Sequence, residues 1–107
     1  MKNKNTETEL SMDMLLKMTP EVFRDIVKAQ SLGFKKSLLN LLKMNFEQCV
    51  IAKEGITTLL AKDQLEGQEK ENAEKLLADL YTSMQLIEDR HTILDILINE
   101  NNKELNN

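Results

Sequence analysis

Tryptophan is absent, and proline and cysteine occur once each. Glycine occurs three times, and the aromatic residues are three phenylalanines and one tyrosine in 107 residues. The lone Cys49 has no partner for an internal disulfide, so it reads as a small buried hydrophobe with an inert thiol. Scarce glycine and proline, with no run of alternating polar and apolar residues, exclude a turn-rich β architecture. No apolar stretch approaches the ~20 residues that a bilayer crossing requires. The opening Met1-Lys2-Asn3-Lys4-Asn5-Thr6-Glu7 lacks the apolar core of a signal peptide, so no membrane partner is expected and a cytoplasmic location is.

What is present is helical. Hydrophobic residues make up 41% of the chain and charged residues 30%, too apolar for a disordered chain and too charged for a membrane protein. The reading is an all-α protein, one domain over 1–107, in which two short N-terminal helices pack on a long antiparallel helical hairpin. Residues 1–5 and 103–107 are expected to fray. Thr6 and Glu9 form a capping-box pattern ahead of a first helix over about 7–18. Thr19-Pro20-Glu21 combines a capping hydroxyl, a proline at the first helical position and an acid at the positive helix end. It opens a second helix over about 20–32, which Gly33 is expected to end in a left-handed conformation.

The hairpin spans 34–102, with its turn near 66–68 at Gly67. Its first arm should run to about Leu65. Gly55 marks a kink, a close contact or a break there, at a cost of about 1 kcal/mol relative to alanine. The second arm carries the most regular pattern in the chain. Ala73, Leu77, Leu80, Met84, Ile87, His91, Leu94 and Ile98 alternate in steps of four and three, a heptad seam. A turn near Gly67 pairs residues whose numbers sum to about 133–136, placing Ile56 by Leu77 and Leu80, Cys49 by Met84 and Ile87, and Asn45 by His91. Residues 34–65 carry net +2 and residues 66–107 net −6, which favours the pairing weakly. Glu66/Lys70 and Glu71/Lys75 are spaced for ion pairs along the helix. Residues 93–98 are apolar nearly all round, so this end needs covering by the N-terminal helices or a second chain.

Chemistry is hard to place. One histidine and one cysteine cannot supply a metal site. The serines have no histidine at a nucleophile–base spacing, and the glycines stand too far apart for a phosphate loop. The expectation is no enzyme, no cofactor and no metal. His91 and Asn45 read as polar residues of the seam that set register, with a pH-sensitive contact at His91 as the sharper alternative.

The leading expectation is therefore a protein–protein interaction module: a small adaptor, chaperone or inhibitor of a partner protein. Its interface candidates are Ile93, Ile96, Leu97, Met12, Met14 and Met18, with a homodimer favoured over a monomer. The alternative rests on Ala29, Leu32, Gly33, Phe34, Leu39 and Leu42, which resemble the helix-turn-helix pattern and depart from it at Lys28. That resemblance implies a small DNA-binding transcription regulator, dimerising through its hairpin, with Lys35, Lys36, Ser37 and Asn40 facing DNA. The acidic chain argues against a nucleic-acid partner.

Overall fold

Serine and threonine hydroxyls set where the first three helices begin. The computed structural model describes residues 11–106, with side chains through Lys103. Four helices are present among these residues: α1 Met12–Lys17, α2 Pro20–Lys28, α3 Leu32–Ala61 and α4 Gly67–Asn106. Ser11 Oγ accepts the Met14 amide at 3.1 Å, Thr19 Oγ1 accepts Val22 at 3.2 Å, and Ser31 Oγ accepts Phe34 at 3.1 Å. Each hydroxyl satisfies an amide that its helix leaves without a partner. Pro20 occupies the first helical position of α2, as its missing amide requires.

Several expected boundaries move. The Thr6–Glu9 capping box lies outside the described residues, and among the described residues α1 begins at Met12, capped by Ser11. The second helix stops at Lys28 rather than 32, with the Gln30 amide donating to Val27 O at 2.9 Å. Gly33 ends nothing. It sits in the first turn of α3, because Ser31 captures the backbone two residues earlier. α3 runs unbroken through Gly55, where an added Cβ would meet nothing within 4 Å. α4 continues to Asn106, through residues expected to fray.

Reversal of the chain takes place over 62–66. Asp63 and Gly67 both hold positive φ, 55° and 58°, and the Asp63 amide donates to Leu60 O at 3.1 Å. The turn was expected at Gly67, and its left-handed residue is there. A second one, Asp63, directly follows the α3 cap at Lys62 and belongs to a residue type that tolerates this region.

α3 and α4 pack side by side as an antiparallel hairpin. Lys53 lies over the Tyr81 ring, 5.9 Å from its centre, and Lys35 donates to Asn101 Oδ1. These pairs add to 134 and 136, so the register is the one the turn position implies. The short helices rest mainly on α4. Leu15, Phe23, Val27, Leu38, Leu42, Ile87, Leu94, Leu97 and Ile98 form the buried core. All of them lie at the open end of the hairpin. Between Lys43 and Leu86 no residue is buried, so the end near the turn is a two-helix stalk. The molecule extends over 58 × 38 × 20 Å with a Cα radius of gyration of 17.7 Å. A compact chain of this length would have a radius of roughly 13 Å.

Candidate interaction surface

The end of α4 determines what the open end of the hairpin can offer a partner. Leu94, Leu97 and Ile98 are buried, and Ile93 packs partly buried against the same core. Met12 and Met18 are likewise half-buried against it. Of the six apolar residues singled out as an interface, Leu97 is only 3% exposed, whereas Ile96 is 52% and Met14 48% exposed. The N-terminal helices cover most of the surplus apolar surface of residues 93–98. The candidate patch therefore reduces to Ile96 and Met14 on different helices.

Two buried cations hold this end together, and neither stands out as a core residue in the sequence. Arg90 is 3% exposed. Its guanidinium donates through one Nη to Leu16 O at 3.3 Å and to Met18 O, and lies 5.5 Å from the centre of the Phe23 ring. The carbonyls at the end of α1 otherwise lack helical partners, so Arg90 ties α1 to α4 while stacking on α2. Its Nε has no hydrogen-bond partner among the described residues. Lys35, also 3% exposed, reaches from the first turns of α3 to Asn101 near the end of α4. The sequence signal for Arg90 was its place on α4. It falls one position before His91 in the seam, on the flank where Ile93 and Leu97 also lie.

Burial of Lys35 removes it from the set expected to face DNA. Lys36, Ser37 and Asn40 are exposed. The connection between α2 and α3 runs over Ala29–Ser31, so the expected turn glycine, Gly33, is helical.

The expected seam pair does not form a hydrogen bond. Asn45 Nδ2 donates to Leu41 O of its own helix at 2.8 Å. His91 instead lines a cleft of about 570 Å³ between the arms, with Leu42, Phe46 and Ile87 on its apolar side and Glu47, Glu88 and Asp89 at its edge. Cys49 is half-buried against the core. Among the described residues, no group of three or more His, Cys, Asp or Glu side chains is placed to hold a metal ion. No described helix is long and apolar enough to cross a membrane.

Direct ion pairs are scarce, in keeping with the weak contribution expected of charge to the hairpin. The one ion pair among the described residues is Lys17–Asp13 at 3.1 Å, within α1 and well exposed. Glu66/Lys70 and Glu71/Lys75 form no ion pair, and among the described residues none crosses between α3 and α4. Long exposed side chains gain too little from such contacts to offset the entropy of ordering them.

The surface that sequence reasoning missed is the outer side of α3. Ile51 is 64% exposed, Met44 59% and Leu41 48%, with Phe34 and Leu59 also exposed. At about 100° per residue these side chains share one face, roughly a third of a turn from buried Leu38 and Leu42. The signal was available. α3 carries apolar residues in two registers, and one helical neighbour can cover only one of them.

The fold defines a class, an all-α protein with short helices set on a long helical hairpin. No protein-family model matches the chain, and no curated protein or solved structure matches it either.

Proposed function

We propose that this chain is a non-enzymatic protein–protein interaction module of the cytoplasm, acting as a small adaptor, chaperone or inhibitor. The observation that carries this reading is the uncovered apolar face of α3. Contiguous apolar surface on a small protein is costly to leave in water and usually marks a contact site. Met44 suits such a role, since its flexible thioether adapts to varied partners. The stalk adds to this reading, because its length is not needed for a core that lies wholly at the other end.

Affinity capture tests the proposal. The full chain serves as bait, in parallel with a Met44→Glu/Ile51→Glu variant of unchanged helical content. Proteins held by the first and lost by the second support the module. Identical capture by both removes α3 as the contact face. The DNA-binding alternative is tested on the same material by fluorescence anisotropy with duplex DNA at low salt. Binding that weakens steeply with salt and is lost in Lys36→Glu would overturn the module reading.

A further inference from the structure

We infer that the occupant of the outer face of α3 is α3 of a second copy of this chain, packed antiparallel about a two-fold axis near Asn45 and Phe46. This rests on the reading of that face as a contact site and names what covers it. The first argument is periodicity. Phe34, Leu41, Met44, Gln48, Ile51 and Gly55 are separated by seven, three, four, three and four residues, all within one unbroken helix. That is a heptad seam distinct from the one facing α4, and heptad seams pair helix with helix.

Charge then selects the partner and its direction. The flank beside this seam carries Lys36 and Lys43 in its first half and Glu47 and Glu54 in its second, all exposed. A two-fold axis close to residue 45 sets Lys43 against Glu47 of the other copy and Lys36 against Glu54. The seam pairs Leu41 with Ile51 and Met44 with Gln48 centre one residue further on, at Phe46, within the stagger of side chains on facing helices. In a parallel pair, lysine would meet lysine and glutamate glutamate. The α3 flank is thus complementary to itself only when reversed, which is the requirement of an isologous interface. Such pairs select direction more than they add affinity, and the apolar seam supplies the stabilisation.

Gly55 is a third observation. It lies inside a long helix, has no positive φ, and would meet nothing within 4 Å if given a Cβ. Nothing among the described residues requires glycine there. On the outer seam it opposes the start of the partner's α3, where a missing side chain lets two backbones approach.

Sedimentation equilibrium of the full chain is the first test, with a dimer expected at about 100 μM. Ile51→Glu should weaken association at least about tenfold without altering the far-ultraviolet circular dichroism. Lys43→Glu should weaken it less, and Lys43→Glu/Glu47→Lys should recover most of the loss. Direction is read by oxidising an equimolar mixture of Leu41→Cys and Ile51→Cys chains, both carrying Cys49→Ala. Heterodisulfides should predominate over either homodisulfide. A chain that stays monomeric overturns the inference, as does a dimer indifferent to Ile51→Glu or a predominance of homodisulfides. A monomer that still captures a different protein through Ile51 sinks the self-pairing alone and leaves the interaction module standing.

Discussion

At Arg90, three helices depend on one side chain. Its guanidinium holds the last carbonyls of α1, covers the Phe23 ring on α2 and is itself part of α4. Arg90→Ala would leave those carbonyls without a protein donor and open space beside Phe23. Chemical denaturation should show a loss of about 2–4 kcal/mol. Lys35 gives a different expectation, because among the described residues its buried ammonium has one acceptor, the neutral Asn101. Removing the acceptor in Asn101→Leu strands a buried charge and should cost about 1–3 kcal/mol. Removing the charge in Lys35→Met exchanges a desolvated cation for an apolar chain of similar length, and stability should hold within about 1 kcal/mol or rise. A Lys35→Met variant less stable than Asn101→Leu would show that the ammonium contributes more than its hydrogen bond to Asn101. Neither cation was legible in the sequence as a core residue. Lysine and arginine are normally exposed, and only the distant partners Asn101, Leu16 and Met18 make their burial tolerable.

Among the elements, three glycines occupy three different situations. Gly67 holds a positive φ of 58° where the chain enters α4, so Gly67→Ala should cost about 1 kcal/mol or more. Gly55 is helical with open space around it, so Gly55→Ala should raise the stability of the dilute chain by about 0.5–1 kcal/mol. Opposite shifts in melting temperature for the two variants are the check. Gly33 shows why helix ends were harder to read than helix interiors. Its position suited a helix end, yet Ser31 caps the next helix two residues earlier and draws Gly33 into the first turn. A glycine permits a left-handed conformation without requiring it, and the local competition went to the hydroxyl. The α4 seam could be read because eight positions kept one period. The outer seam of α3 was overlooked because Gln48 and Gly55 interrupt its apolar character.

Across the whole molecule, stability is distributed unevenly. Every buried residue among those described lies at the open end of the hairpin, and the stalk is held by half-buried contacts such as those of Ile56, Leu60, Leu77 and Leu80. Amide hydrogen exchange should be slowest in α4 around Ile87–Ile98 and in α3 around Leu38–Leu42. It should be distinctly faster from about Thr57 to Leu76, because opening the stalk exposes little buried apolar surface. Uniform protection along both arms of the dilute chain would contradict this division. The same division leaves the residues 93–98 cluster mostly covered, with Ile96 still exposed. The short helices cover most of it.

Taken alone, the order of residues determined that the chain is helical, that it reverses near position 67, and which face of α4 turns inward. Those properties follow from local capping, from a left-handed glycine and from a period repeated many times, so they need no knowledge of distant residues. Tertiary structure alone decided which cations are buried, how far α1 and α2 cover the end of α4, and that a second apolar stripe on α3 stays exposed. These outcomes depend on residues far apart in the chain competing for the same volume, and no local pattern records which of them arrives.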